Sequence, residues 1–200
     1  LGEVTNEATK EFAVKCKQGS VDMTQPLPVD VDINDIDAYK GRSAFHLACS
    51  SGRSDLVSYL IENDADVLLE DRKGRTPFFV ICDEHGKDID EEVQKGIAQK
   101  LLDEVRVLEG ATAADVQLYI ERPNQYGLTA LHAACESGKS SLVDWLLHKQ
   151  NANIQALTND GMSVVSISIQ RLQFTLAETL MNVIDQRHDV NITALLNQPC

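Results

Sequence analysis

Positive charge is scarce in this sequence. Its 200 residues include 18 lysines and arginines against 31 aspartates and glutamates, which gives a formal net charge of −13 at pH 7. A chain this acidic, with no basic run, repels the phosphate backbone, so we expect no direct nucleic-acid binding. No apolar run approaches the roughly 20 residues of a transmembrane helix, and no basic amphipathic face is present. We therefore expect no membrane insertion.

The first residues also lack the features of a secretory signal, because they carry neither a positively charged start nor an apolar segment. The chain starts at Leu1 and not at Met, and we expect it to be a piece of a longer protein. Its composition is otherwise globular, with 43% hydrophobic and 24% charged residues. Its length suits one domain or at most two.

Cysteines are few, and their spacing is regular. They are Cys16, Cys49, Cys82, Cys135 and Cys200. The first two intervals are equal, and the third is longer. The turn glycines Gly41, Gly74 and Gly127 keep the same intervals as Cys49, Cys82 and Cys135. The pattern indicates a repeat of about 33 residues, the period of a solenoid, with an insertion of about 20 residues in one copy.

The register of the cysteines argues against a disulfide framework, as does their odd number. We expect each of the first four to fill one small, buried site on equivalent helices, where a free cysteine behaves as a small hydrophobe. Unpaired cysteines are typical of a reducing compartment. We therefore expect an intracellular protein of the cytoplasm or the nucleus.

Two segments show the repeat most clearly. Residues 41–49 read Gly-Arg-Ser-Ala-Phe-His-Leu-Ala-Cys, and residues 127–135 read Gly-Leu-Thr-Ala-Leu-His-Ala-Ala-Cys. Residues 71–82 keep this frame with Phe79 in place of the histidine, and residues 160–166 are a more diverged copy. A second apolar pattern with helical spacing follows each cysteine.

These segments resemble the ankyrin repeat, whose consensus runs D-x-x-G-x-T-P-L-H-x-A-A before a second helix. The resemblance implies an all-α ankyrin-repeat solenoid of stacked helix-turn-helix units with β-turn tips, in which neighbouring units bury each other's apolar faces. We expect residues 1–200 to form a single domain of about five repeats. The expected repeats are residues 5–36, 37–70, 71–123 with the insertion, 124–157 and 158–191, and residues 192–200 start a further unit or form a tail.

Two of these repeats are irregular. Pro26 and Pro28 are incompatible with a helix interior, so we expect the first repeat to be an irregular N-terminal cap. In the third repeat, Ile97 follows Cys82 at about twice the distance at which Leu56 follows Cys49. We expect the acidic part of this longer gap to extend the start of the second helix, where carboxylates are favourable.

The rest of the insertion follows Leu102 and has a break at Gly110. Within it, residues 113–120 fit a strand and a helix equally. Because the insertion adds apolar residues, we expect it to pack against the stack.

No catalytic, metal-binding or cofactor-binding residue is predicted. His46 and His132 each precede a cysteine by one helical turn, but a nucleophile needs an exposed thiol of low pKa, and an enzyme does not duplicate such a pair in each repeat. The resemblance implies that the two histidines hydrogen-bond Ser43 and Thr129. The turn glycines are isolated and form no phosphate-binding loop. The Cys/His pairs at helical spacing could each contribute two metal ligands, but no second pair follows nearby, and no acidic run matches a calcium loop.

A binding surface remains as the function. In ankyrin domains the turn tips and the first helices line a concave groove, and arginine and tyrosine are common at interface hot spots. The residues that we predict to contact a partner protein are Tyr39, Arg42, Arg72, Lys73, Arg75, Tyr126, Leu128 and Met162. We expect the basic group Arg72, Lys73 and Arg75 to bind an acidic segment of that partner. For Trp145, on a second helix, we expect burial against the next repeat.

The sequence therefore favours a non-catalytic protein–protein interaction scaffold. The alternative is a regulatory domain that acts in cis within a larger enzyme, channel or transcription regulator.

Overall fold

The computed structural model describes residues 7–37, 40–83, 89–108 and 110–186, and all regular secondary structure in these ranges is helical. This confirms the all-α prediction. The helices are α1 (Glu7–Gln18), α2 (Ala44–Ser51), α3 (Ser54–Glu62), α4 (Pro77–Cys82), α5 (Glu91–Val107), α6 (Ala113–Glu121), α7 (Ala130–Glu136), α8 (Ser140–His148), α9 (Val164–Gln170) and α10 (Phe174–Gln186).

The helices stack in two rows. Helices α1, α2, α4, α7 and α9 pack successively on one another, and α3, α5 and α8 form a second row. Within each unit the two helices pair, as α2 with α3, α4 with α5, α7 with α8 and α9 with α10. One continuous core therefore extends from Phe12 to Ile184.

Short polar caps start the first-row helices. Thr76 is the N-cap of α4 and accepts a hydrogen bond of 3.2 Å from the Phe79 amide, with Pro77 in the first turn. Ser163 caps α9 in the same way, through the Ser166 amide at 3.2 Å. Helix α9 is rich in β-branched residues, which lower helix propensity, but packing of its buried face on α7 outweighs that preference.

Four cysteines lie in the core as predicted. Cys16, Cys49, Cys82 and Cys135 are buried and unpaired on α1, α2, α4 and α7. Burial raises the pKa of the Cys16 thiol to about 12, and it raises the pKa of the other three thiols as well. Cys200 lies outside the described residues.

The irregular first repeat is also confirmed. Among the described residues from 19 to 37 the chain forms turns and no helix. Several hydrogen bonds attach this segment to the stack. Among them, the Tyr59 hydroxyl donates to the Gln25 carbonyl at 3.0 Å, and the Asp32 amide donates to the Thr9 hydroxyl at 3.1 Å. Side chains thus replace the missing second helix.

The insertion packs on the stack. Helix α5 begins at Glu91, almost two turns before buried Ile97. Helix α3 begins at Ser54, only two residues before Leu56, which is the equivalent buried residue. The acidic residues 90–92 therefore cap and extend the helix as expected, while residues 84–88 lie outside the described part. The ambiguous segment 113–120 is helical.

Helix α6 is held from both sides. The Tyr119 hydroxyl donates to the Val67 carbonyl of the second repeat at 2.6 Å. The Gln117 amide group donates to the Asn151 carbonyl of the fourth repeat at 3.2 Å, and Glu121 accepts from the Asn153 amide at 2.7 Å. The insertion therefore bridges repeats that flank its own.

The last described repeat exposes apolar side chains. Ile169 and Met181 occupy the positions in the fifth repeat that Cys135 and Leu147 occupy in the fourth, where both side chains are buried under the fifth repeat. In the fifth repeat the corresponding side chains are about half exposed, at 47% and 46%. The face that would carry a next repeat is open in the part of the chain described.

Candidate functional site

A tight turn precedes each of α4 and α7, and the two turns share one hydrogen-bond pattern. The Asp71 amide donates to the Arg75 carbonyl at 3.0 Å, and the Asn124 amide donates to the Leu128 carbonyl at 2.8 Å. The side-chain Oδ1 of Asp71 accepts from the Lys73 and Arg75 amides at 2.8 and 3.1 Å. Asn124 Oδ1 makes the equivalent bonds to the amides ahead of it, at 2.9 and 3.1 Å.

The turns form one continuous row, which we call the tip row. It comprises residues 40–42, 72–75, 125–128 and 159–162, which are the second to fifth tips, numbered by repeat. The third, fourth and fifth tips each donate a backbone hydrogen bond to the tip before: Arg72 N to Lys40 O at 3.1 Å, Gln125 N to Lys73 O at 2.9 Å and Asn159 N to Tyr126 O at 3.0 Å. The approach is close, since a Cβ on Gly127, which has a φ of +78°, would lie 2.5 Å from the Asn159 nitrogen. The row is therefore a rigid edge.

In the N-terminal half of the tip row, two arginines turn inward. Arg75 Nε and Nη2 donate to Asp71 Oδ2 at 2.8 and 2.6 Å, and Nη1 donates to Asp83 at 2.7 Å. Arg42 Nε lies 3.7 Å from the same Asp71 oxygen. Burial opposes ionisation of Asp71, but the Arg75 hydrogen bonds outweigh it and hold the pKa of this carboxyl below its ordinary value.

The expectation that Arg75 is exposed at a tip is corrected by this arrangement. Arg75 is only 8% exposed, because Asp71 of its turn and Asp83 at the C-terminal end of α4 both lie within reach of the guanidinium. A buried cation is stable only when it is paired. Arg75 therefore stabilises its own repeat.

Other predicted contact residues do lie at the surface. Arg72 and Lys73 are exposed and have no ion pair within the described residues. Arg42 is half-buried, with 16% of its side chain exposed. Tyr39 lies outside the described residues.

In the C-terminal half of the tip row, apolar side chains line a cavity. Tyr126, Leu128 and Met162, three residues predicted from the sequence, come together around a volume of about 140 Å³, which Ile167 also lines. Asp160 and Glu136 also line it, and Arg171 pairs with the Glu136 carboxylate. The arrangement can accept one small apolar side chain beside an acidic rim.

Ile167 and Gln170 are among the lining residues that the sequence analysis missed. They occupy the positions in the fifth repeat that Ala133 and Glu136 occupy in the fourth. Placing the fifth repeat on the fourth at this offset would have put both on the groove side of α9. The diverged sequence of that repeat obscured the match.

The two repeated histidines are structural. His46 Nε2 lies 3.0 Å from the Arg75 carbonyl, which can only accept, so Nε2 carries the proton and Nδ1 accepts from Ser43 at 2.9 Å. His132 Nδ1 lies 2.9 Å from the Thr129 hydroxyl. Burial lowers the pKa of both histidines, to about 4 for His132. Each ring ties a turn to its helix, as the resemblance implied.

The insertion creates two further cavities beside α6. One of about 410 Å³ includes Arg106, Thr112 and Lys149 in its lining, and none of its described lining residues is a histidine, cysteine or carboxylate. The other, of about 370 Å³, is walled by Leu68 and Leu118. Neither cavity includes a residue of the tip row.

Outside the tip row, Trp145 is half-buried and packs against the core, so its burial is partial.

None of the described helices is long and apolar enough to cross a bilayer. In residues 7–37, 40–83, 89–108 and 110–186 no three histidine, cysteine or acidic side chains are grouped to hold a metal ion.

Comparison with known proteins gives one family. The family model of ankyrin repeats (3 copies) matches residues 12–107 and 92–194. Tyrosine-protein kinase HTK16 of Hydra vulgaris is 26% identical over 159 residues, which are 79% of this chain and 18% of the kinase.

NF-kappa-B inhibitor cactus is a second similar protein. The proteins of Drosophila yakuba and Drosophila melanogaster are each 30% identical over 127 residues, which are 63% of this chain and 22% and 21% of theirs. The chain spans about a fifth of the length of the curated relatives that it matches.

Proposed function

This chain belongs to the ankyrin repeat family, whose repeats mediate protein–protein interaction, and from that premise we propose that it is a non-catalytic scaffold that binds a partner protein along the tip row. The observation that carries the proposal is the row itself. Its backbone hydrogen bonds make the edge rigid, so little ordering entropy is lost when a partner binds.

The predicted contact residues divide under this proposal. Arg72, Lys73 and Tyr126 contact the partner directly, and Leu128 and Met162 line the groove beside them. Arg42 lies at the edge of the buried charge cluster and Arg75 within it. Arg75 therefore supports the tip from inside and is not part of the contact surface.

The wider organisation belongs to the same proposal. Residues 1–200 form one domain with the five repeats given above, which the continuous core between Phe12 and Ile184 supports. The unpaired buried cysteines support an intracellular location, in the cytoplasm or the nucleus.

A capture experiment tests the function. The wild-type chain and an Arg72→Glu/Lys73→Glu variant are used to capture proteins from a lysate of the source cell, at low and at high salt. A partner that contacts the tip row is retained by the wild type, is lost by the variant and is held less tightly at high salt.

An Arg106→Glu/Lys149→Glu variant is the matched control. It makes the same change of charge at the insertion cavity, which shares no residue with the tip row, and it should capture the partner as the wild type does. Equal capture by all three proteins would overturn the assignment of the site to the tips.

A second candidate function has a specific observation in its favour. The similarity to the Hydra protein covers 18% of a tyrosine-protein kinase, so a chain of this kind occurs within a larger enzyme. In that alternative the tip row binds another part of the same polypeptide. Addition of the isolated chain in trans to the longer protein that lacks it would then restore regulation, and the charge-reversed variant would not.

A further inference from the structure

The tip row changes chemistry along its length. The second and third tips carry five basic residues: Lys40, Arg42, Arg72, Lys73 and Arg75. The fourth and fifth tips carry none, and Asp160 is charged with the opposite sign. Because the whole chain has a net charge of −13, this positive end of the row is a local exception that favours carboxylates.

Only part of the positive end is available to a partner. Arg75 is neutralised by Asp71 and Asp83, and Arg42 lies near the Asp71 carboxylate. Arg72 and Lys73, like Lys40 on the tip before them, are exposed and have no acidic partner in the described residues. Two adjacent cations therefore face the solvent at one tip.

The other end of the row offers a small, partly open cavity, lined by apolar side chains and by Glu136, Thr158, Asp160 and Gln170. Its volume of about 140 Å³ is close to that of an engineered cavity that holds one benzene ring, roughly 150 Å³. Leu128, Met162 and Ile167 supply its apolar lining, and Tyr126 beside them is 50% exposed. One leucine, isoleucine, methionine or phenylalanine side chain fills such a space.

The distance between the two features follows from the stacking. Lys73 O accepts from Gln125 N, so the third tip adjoins the fourth, and the cavity lies between the fourth and fifth tips. Packed helices lie about 8–10 Å apart, which places the cavity roughly 10–20 Å from Lys73. An extended chain rises about 3.3 Å per residue, so roughly three to six residues span the gap.

We propose that the tip row binds an extended acidic–aliphatic segment of the partner: one or two carboxylates at Arg72 and Lys73, and a single aliphatic or aromatic side chain in the cavity, about three to six residues away. This inference rests on the proposed function. Charge complementarity selects the acidic end, and the size of the cavity limits the other end to one anchor.

Synthetic peptides test the spacing. Each carries two aspartates, a glycine–serine spacer and one leucine, with a spacer of about one, four or nine residues, and both chain directions are made. Binding is measured by the shift of amide signals of the labelled chain. The intermediate spacer should bind tightest in one direction and shift signals of both the third and the fourth tip.

Matched variants show which end of the peptide lies where. Leucine-to-serine replacement in the peptide should weaken binding to the wild type by about tenfold and should have little further effect on a Tyr126→Ala or Leu128→Asn variant. Aspartate-to-asparagine replacement should weaken binding to the wild type and not to Arg72→Glu/Lys73→Glu. Tyr126→Ala removes an exposed side chain, so the test remains valid if Leu128→Asn is unstable.

The outcomes separate this inference from the proposed function. Three results would overturn the inference that the tip row binds an acidic–aliphatic segment. They are equal affinity for peptides of all three spacer lengths, an unchanged affinity after the leucine is replaced, and no binding at about 1 mM peptide. If the peptides fail but capture of a lysate protein still depends on Arg72 and Lys73, the proposed function stands without this further inference. If capture is independent of these residues, the proposed function fails as well.

Discussion

The third and fourth tips have the same backbone and opposite chemistry. Both turns are closed by the same bonds, and Asp71 and Asn124 offer the same Oδ1 to the amides ahead. Asp71 has a second carboxylate oxygen, which binds Arg75. Asn124 has no charge to offer, and Leu128 takes the place of Arg75 beside a cavity. The third tip is therefore filled by Arg75 and the carboxylates that pair with it, whereas the fourth tip has an uncharged turn residue and Leu128 beside a cavity.

The largest effect should come from making the third tip resemble the fourth at one position. Asp71→Asn keeps the turn bonds and removes one of the two carboxylates that pair with buried Arg75, leaving Asp83. We expect the free energy of unfolding, measured by urea denaturation, to fall by about 3 kcal/mol, because a buried cation loses the partner that accepts two of its three side-chain hydrogen bonds.

The double variant Asp71→Asn/Arg75→Leu completes the conversion and is the control. It should recover much of the lost stability, because an apolar residue can replace a buried ion pair at little cost. A loss of under about 1 kcal/mol in the single variant would mean that Arg75 does not depend on this pair.

The buried histidine of the fourth repeat should make the free energy of unfolding depend on pH. Burial lowers the pKa of His132 in the folded chain to about 4, below the ordinary value of about 6.5. Between these values the unfolded chain binds the proton and the folded chain does not. The stabilisation is therefore complete above about pH 6.5 and decreases as the pH falls towards 4, by up to about 3 kcal/mol.

The fifth tip supplies the comparison for this effect, since Ser166 stands in the place of the histidine. A His132→Ser variant should therefore show a smaller loss of stability between pH 6.5 and 4 than the wild type in urea titrations at several pH values. A further His46→Ser change should reduce the slope again, because burial lowers that pKa too. Parallel curves for wild type and variants would contradict the assignment.

The smallest expected effect compares the two turn glycines. Gly74→Ala and Gly127→Ala both place a Cβ at positive φ, +70° and +78°, at a cost of about 1–2 kcal/mol each. The new Cβ would lie 3.3 Å from Gln125 N in the first and 2.5 Å from Asn159 N in the second.

Gly127→Ala must therefore move the fifth tip as well, and we expect about 1 kcal/mol of additional loss of thermal stability relative to Gly74→Ala. Equal melting temperatures would show that the tips tolerate a wider spacing than the row now has.

The architecture was predictable because its signals are local and repeated. The spacing of Cys49, Cys82 and Cys135 revealed the period, and caps such as Thr76 and Pro77 marked helix starts. The histidine bonds to Ser43 and Thr129 lie within one turn of their own helix. Such features need no knowledge of distant contacts.

The chemistry of the tips was predictable only in part. Arg72 and Arg75 look alike in the sequence, but one is exposed and the other buried. Asp83 accepts a hydrogen bond from the Arg75 guanidinium and so helps to hold Arg75 in its buried position. This aspartate lies at the C-terminal end of α4, a whole helix away from the turn. The helix turns this carboxylate back to the tip, and nothing in the spacing of the charges shows it.

The sequence by itself determined the repeat, the helices and the positions of the tips, because periodic burial and local capping are written in neighbouring residues. Tertiary structure alone decided which tip residues are exposed and which are buried. Arg75 is withdrawn by carboxylates that the fold brings to it, and the cavity at Leu128 and Met162 exists only because the fourth and fifth tips stack. The burial of Arg75 and the cavity both depend on how close separate chain segments lie. That distance is set by the stacking of the repeats and cannot be read from the order of the residues.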